Sequence, residues 1–172
     1  MTIRTAQFCP DCGTSLDTQQ FEGRQRRYCA DCEHLIFQQP LPAAGVAVVD
    51  EGSVLLIRRM GPPHAGSWAV PGGVMEYDES AEETAVRELE EETNIVASSS
   101  DLVLFDTWQQ ECPDENVYSV TVGYAVSLPE TTGKPKAGTD AEAVQFWQLE
   151  GDMNGTLRPG EERRMKRAIE AV

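Results

Sequence analysis

Residues 72 to 95 read GGVMEYDESAEETAVRELEEETNI, and nine of these 24 positions are Asp or Glu. Glu88, Glu91 and Glu92 stand at i, i+3 and i+4, so a helix places all three carboxylates on one side of about one turn. Like charges at that spacing repel one another. The cluster has no lysines interleaved at i+4, as a solvated surface helix would have. Its one basic residue is Arg87, whose fork can hold a carboxylate at two points. The Pro71-Gly72-Gly73 turn just upstream frees backbone carbonyls and leaves room for a ligand. Carboxylates crowded in this way suit a hard divalent cation such as Mg2+ or Mn2+, which supplies the missing counter-charge.

A second constellation is made of cysteine. Cys9 and Cys12 (CPDC) and Cys29 and Cys32 (CADC) form two C-x2-C pairs with 16 residues between them. Each pair offers two thiolates from a tight turn, and two turns complete a tetrahedron around Zn2+. Disulfides or a redox dithiol are the competing readings; two matched pairs without a secretory signal favour zinc. Cys112, in ECPDE, has no sequence partner and is read as a bystander.

The acidic helix needs a start, an apolar back and a stop. Ser80-Ala81-Glu82-Glu83 is a capping box and predicts a helix beginning at Ser80. Ala81, Ala85 and Leu89 recur at four-residue steps and can pack on a sheet. Asn94 is placed to end the helix, because Asn is the best non-glycine residue for a left-handed C-cap. Before the helix, AAGVAVVD and SVLLIRR flank Glu51-Gly52, a hairpin signal, and GSWAVPGGV reads as a short strand broken at Pro71. After it come three strand-like runs, DLVLFDTW, VYSVTVGYAVSL and EAVQFWQL, then a closing helix, GEERRMKRAIEAV, with Met165 and Ile169 on one face. Strands with one embedded and one terminal helix predict an α+β fold, a mixed α/β sandwich.

Residues 1–39 are too few and too polar to fold without a staple, which zinc supplies to short strands such as RQRRYC and HLIFQQ. Arg24, Arg26 and Arg27 form the basic cluster of this module and read as a solvated strand face. The QPLP run at 39–42 marks a boundary, giving a zinc module over 1–39 and the sandwich over 40–172.

Composition bounds the partners. Of the 172 residues 40% are hydrophobic, and the longest apolar run, AAGVAVV, is far short of a membrane span. The N-terminus, MTIRTAQFCP, has no apolar h-region, so a soluble, cytoplasmic protein is expected. A net charge of −15 disfavours binding to nucleic acid or anionic membrane. Only Lys134, Lys136 and Lys166 among the 14 basic residues are lysines. Many acids with few lysines fit either a halophilic source or a merely acidic mesophile.

Gly73, five residues, Glu79, seven residues, then Arg87-Glu88-Leu89-Glu90-Glu91-Glu92-Thr93-Asn94-Ile95 resembles the Nudix box, G-x5-E-x7-R-E-U-x-E-E-x-G-U, with U apolar. Eight of the nine specified positions agree; Asn94 replaces the last glycine. With LLIRR, SWAVPGG and the cysteine module, the chain is similar to zinc-ribbon-bearing Nudix hydrolases over most of its length. The resemblance implies an α/β/α sandwich with a mixed sheet behind a zinc ribbon. It implies metal-dependent hydrolysis of a diphosphate linkage in a nucleoside diphosphate derivative, yielding a nucleoside monophosphate and a phosphorylated product.

Carried over by position, Glu88, Glu91 and Glu92 hold Mg2+ or Mn2+, with the Gly72 carbonyl a further ligand and Glu88 also a candidate base. Glu79 and Arg87 form the ion pair that anchors loop to helix. Family members often add an acid from a late loop; AGTDAEAVQFW supplies Glu142, with Asp140 in reserve. Arg58 and Arg59 could hold phosphate, one of them facing solvent. Trp68, Trp108, Tyr118 and Phe146 could stack on a base or simply fill core. His64, in PPHAG, carries no specific expectation. The resemblance also admits a homodimer. Where the NADH-pyrophosphatase branch carries Ser-Gln-Pro-Trp, this chain reads DTWQQECPDE, so an ADP-ribose-like substrate is expected. The alternatives are an NADH or NAD-cap pyrophosphatase, and a non-catalytic nucleotide sensor.

Overall fold

The computed structural model describes residues 5–115, 117–138, 140–149 and 155–172. The chain divides into two compact units, Met1–Pro40 and Leu41–Val172.

In the first unit, β1 (Asp17–Phe21), β2 (Arg24–Cys29) and β3 (His34–Ile36) form an antiparallel sheet in that order. Glu22 and Gly23 join β1 to β2 with φ of 46° and 77°, the two-residue turn whose twist matches a hairpin. Among the described residues of this unit the buried apolar ones are Cys9, Leu16 and Cys29. So small a core cannot hold forty residues by burial alone.

The second unit begins with β4 (Leu41–Asp50), β5 (Ser53–Arg59), β6 (Trp68–Ala69) and β7 (Gly72–Val74). Next come α1 (Ala81–Thr93), β8 (Ile95–Val96), β9 (Val103–Cys112) and β10 (Val117–Ser127). β11 (Thr132–Gly133), β12 (Ala141–Gln148) and α2 (Glu161–Ala171) complete it. The main sheet runs β12-β5-β4-β10-β9, with β10 parallel to β4 and the other pairings antiparallel. β8 and β11 pair separately.

β4 is apolar on both faces because helices cover both. Ala44, Val46 and Val48 face a core shared with Ala85 and Leu89 of α1; Ala47 and Val49 face one shared with Met165 and Ala168 of α2. The result is a mixed sheet between two helices, an α/β/α sandwich. Among the described residues no helix is long and apolar enough to cross a membrane.

The hairpin expected of β4 and β5 is realised only at its tip, where Val49 pairs with Val54 and Asp50 with Ser53. Beyond those pairs the strands part. β6 then pairs with β5, and β7 with β4, so the segment leading to the acidic helix lies in the fork.

α1 starts and stops as its sequence dictates. The Ser80 hydroxyl accepts from the Glu83 N–H at 3.2 Å, and the Glu83 carboxylate accepts from the Ser80 N–H at 2.8 Å. Asn94 caps the other end at φ 59°. Its side-chain amide donates to the Lys134 carbonyl at 3.1 Å. The following stretch closes over the helix end, where the N–H groups of Lys136 and Gly138 donate to the Thr93 and Glu92 carbonyls at 2.9 and 3.0 Å. Carbonyls that would otherwise lack partners are thereby satisfied. Replacing Asn94 with Ala keeps the left-handed cap but removes the amide bond and the local tolerance for that conformation. Denaturant unfolding should show a loss of about 1–2 kcal/mol.

Candidate functional site

Arg87 organises the acidic face of α1. Its Nε and Nη2 donate to the two oxygens of Glu79 at 2.6 and 3.0 Å. Its Nη1 donates to Glu88 at 2.8 Å and to Glu91 at 3.2 Å, and Nη2 also reaches the Val74 carbonyl at 3.4 Å. Arg87, with the Thr84 hydroxyl, holds the Glu79 carboxyl down to about 2. Glu79 thus ties the loop before the helix to the helix itself.

The other two inner carboxylates sit in a different field. Glu92 is buried, and its Oε2 accepts from the Gly72 N–H at 2.8 Å. Burial pushes its carboxyl up to about 8 in the metal-free protein, against the opposing pull of that N–H. Burial also raises Glu88, against Arg87, with the charges of Glu91 and Asp140 adding to the rise. Each glycine of the turn has its own reason. A Cβ on Gly73 would fall onto the Glu88 carboxylate, and one on Gly72 would meet the Ala44 carbonyl oxygen at 2.6 Å.

Among the described residues these acids do not form a group of three with all ligand atoms within 4.8 Å of one another. Glu88 and Glu91 bend toward Arg87, while Glu92 points at Gly72. The donor set is nonetheless all oxygen, and one guanidinium faces three carboxylates. That excess of negative charge fits a hard divalent cation, with half-exposed Glu91 free to turn.

The fork between β4 and β5 decides which other predicted residues reach this face. Arg58 and Arg59 point opposite ways. Arg58 is exposed and pairs with Glu142 at 3.2 Å, both side chains about half in solvent. Arg59 turns inward, its Nε donating to the Pro63 carbonyl at 3.0 Å, and feels the charges of Glu92 and Asp140. A register shift in β12 between Ala141 and Ala143 sets Glu142 toward Arg58. Asp140, held in reserve by the sequence, is therefore the acid near Glu88 and Glu92, and Glu142 is not.

Trp68, a candidate for base stacking, is corrected to core. It is 6% exposed and packs on Trp147 with ring centroids 5.0 Å apart. Phe146 is half-buried against the α1-side core, and Trp108 lies under the Arg164 guanidinium, 4.6 Å from its ring centroid. Tyr118 is half-buried on β10. His64 and Cys112, unremarkable in sequence, meet with Nε2 and Sγ 3.2 Å apart.

In the first unit the Sγ atoms of Cys9, Cys12, Cys29 and Cys32 all lie within 4.8 Å of one another, and all four are free thiols. Cys12 and Cys29 are 3.5 Å apart and Cys9 and Cys32 4.0 Å. A tetrahedron with Zn–S bonds of about 2.3 Å has edges of about 3.8 Å, so zinc fits without rearrangement. Hydrogen bonds from Thr14 pull the Cys12 thiol down to about 6, while Cys32 is raised by its cysteine neighbours. Sequence spacing missed His34, whose Nε2 sits 3.1 Å from Asp11 and 3.9 Å from the Cys9 sulfur. Only the fold of β3 brings it there.

A family profile of the NUDIX domain matches residues 39–170. The chain belongs to the Nudix family. An ADP-ribose pyrophosphatase of Methanocaldococcus jannaschii is 29% identical over 117 residues, 68% of this chain and 67% of that protein. A NAD-capped RNA hydrolase, NudC, of Vibrio cholerae is 34% identical over 99 residues, which is 56% of this chain but only 35% of the relative. A Nudix hydrolase structure from Nitrosomonas europaea superposes with a TM-score of 0.70 at 23% identity, covering 96% of this chain and 91% of that one. The acidic helix is the Nudix helix of this fold, and the chain is a Nudix hydrolase.

Two outcomes follow from the geometry. The folded metal-free protein holds the Glu92 proton up to pH 8, whereas the unfolded chain releases it near the ordinary value of 4.5. Its stability should therefore fall as pH rises from about 4.5 to 8. Glu92→Gln should flatten that decline in pH-dependent thermal melts. Chelation of metal from the cysteine cluster should expose residues 5–36 to limited proteolysis while residues 41–172 stay protected, as mass spectrometry of the fragments would report.

Proposed function

We propose that this Nudix domain hydrolyses the diphosphate linkage of an ADP-ribose-like nucleoside diphosphate derivative, releasing a nucleoside monophosphate and a phosphorylated product. The observation that carries the reading is the set of Glu88, Glu91 and Glu92 on one turn of α1, beside an Arg87 that the Glu79 pair fixes to the preceding loop. All the box glutamates are present, as an enzyme needs and a sensor does not.

Glu88, Glu91 and Glu92 would hold Mg2+ or Mn2+, with the Gly72 carbonyl and Asp140 as further candidate ligands. A divalent ion held there would supply positive charge for the phosphate oxygens and would acidify a water. Glu88, whose proton affinity burial raises, is suited to accept the proton of the attacking water. Arg59 faces the acidic helix and offers its terminal amino groups to a substrate phosphate. Arg87 and Glu79 are positioning residues, already saturated by each other and by the helix. The four cysteines would hold Zn2+ in a closed site with no open position, a structural role.

The likeness to NudC favours a second reading, hydrolysis of NADH or of an NAD-capped RNA. An acidic chain of net charge −15 is poorly matched to the RNA, which leaves the free dinucleotide as the form to test.

The deciding assay incubates the protein with ADP-ribose, NADH, FAD, diadenosine polyphosphates and nucleoside triphosphates, with Mg2+ or Mn2+, at low and multimolar KCl. Cleavage of ADP-ribose is expected, with Glu91→Gln lowering kcat by about 100-fold or more. Binding of a nucleotide without cleavage under any condition would give the site to a sensor instead.

A further inference from the structure

Glu161, the first residue of α2, is fully buried. Its Oε1 accepts from the Val70 N–H at 3.0 Å, and its Oε2 from Arg158 Nε at 2.7 Å and Arg164 Nη1 at 2.9 Å. A carboxylate so deep is tolerable only when paired and hydrogen-bonded, and three donors meet that need. Two guanidiniums nonetheless surround one carboxylate. Taken alone the triad is net positive, with Asp106 as well as Glu161 acting on Arg164.

Holding α2 to the segment after β6 accounts for Arg158 Nε and Arg164 Nη1. It leaves the terminal amino groups of Arg158 unused. Among the described residues they have no hydrogen-bond acceptor. Arg158 borders a cavity of about 140 Å3 walled also by His64, Gln109, Gln110, Glu111, Pro159 and Arg164. A water takes about 30 Å3, so a tetrahedral oxyanion fits there with some of its hydration. The acid on the wall, Glu111, is engaged by the Gln109 side-chain amide. Two guanidiniums, two side-chain amides and the His64 imidazole complete the wall, and a guanidinium fork can bind phosphate in a planar, two-point fashion.

Arg59 connects this cavity to the acidic helix. Glu92 and Asp140 favour its charge from one side, while Arg158 opposes it and Glu161 favours it from the other. Its Nε is held by the Pro63 carbonyl, one residue before His64.

We propose that the cavity between β9 and the Arg158–Glu161–Arg164 triad is a second phosphoryl-binding pocket, which takes an additional phosphate on the substrate beyond the scissile diphosphate. The preferred substrates are then nucleoside diphosphate derivatives carrying a further sugar phosphate or terminal phosphate. This assignment of substrate rests on the hydrolase reading; the binding of phosphate itself does not.

Gln110→Glu adds a carboxylate to the wall that Arg158 lines without touching the triad, and Gln110→Ala serves as the neutral control. Calorimetric titration of inorganic phosphate into the full chain should show one-to-one binding. That binding should weaken at least about tenfold in Gln110→Glu and only a few-fold in Gln110→Ala, with Tm unchanged in both. In turnover, Gln110→Glu should raise KM for a sugar-phosphorylated derivative by a similar factor at constant kcat and leave KM for ADP-ribose alone. Wild-type titrations without binding, equal binding in Gln110→Glu, or equal KM changes for both substrates would overturn the pocket. If no compound is hydrolysed, the hydrolase reading falls, and calorimetry still decides the pocket.

Discussion

The acidic face of this protein depends on one guanidinium. Arg87 spreads its donors over Glu79, Glu88, Glu91 and the Val74 carbonyl, and without it three carboxylates and a polar turn would face one another unscreened. Lysine could supply the charge but not the geometry, because a point ammonium cannot grip Glu79 at two oxygens while reaching Glu88 and Glu91. The pair is partly shielded from solvent, where such contacts outweigh an exposed salt bridge. Its effect is positional: the turn is fixed to the helix, and the helix holds its acids ready for a cation.

The sheet makes that arrangement possible by failing to close. Had β4 and β5 stayed paired along their length, nothing could sit between them. They separate after two residue pairs, and the fork receives β6, the Pro-Gly-Gly turn and β7. Gly72 then lies against β4 while its N–H meets Glu92, and Gly73 leaves room for Glu88. Two glycines and two glutamates thus interlock through backbone that carries no side chain at all.

Much of this was legible beforehand. The capping box at Ser80, the αL cap at Asn94 and the apolar stripe of Ala81, Ala85 and Leu89 are local, and local signals survive folding because the atoms that satisfy them are a few residues apart. The strands of the sandwich and the pairing of C-x2-C turns were readable for the same reason. The acid from the late loop was not. Glu142 and Asp140 are two residues apart and chemically alike, and a register shift in β12 turns one toward Arg58 and leaves the other beside the glutamates. Trp68 was equally ambiguous, since an aromatic in a strand serves core and ligand alike until the opposite face is known.

The sequence by itself determined the chemistry available: hard oxygen donors crowded on one helical turn, one arginine to order them, and four thiols at metal spacing. Those follow from residue type and short-range periodicity, which bind atoms close along the chain. Tertiary structure alone decided which of Arg58 and Arg59 faces the acids, brought His34 to the cysteines, and sank Glu161 between Arg158 and Arg164. These contacts join residues through strand register and burial, quantities set by how distant segments share a core, and no local pattern encodes them.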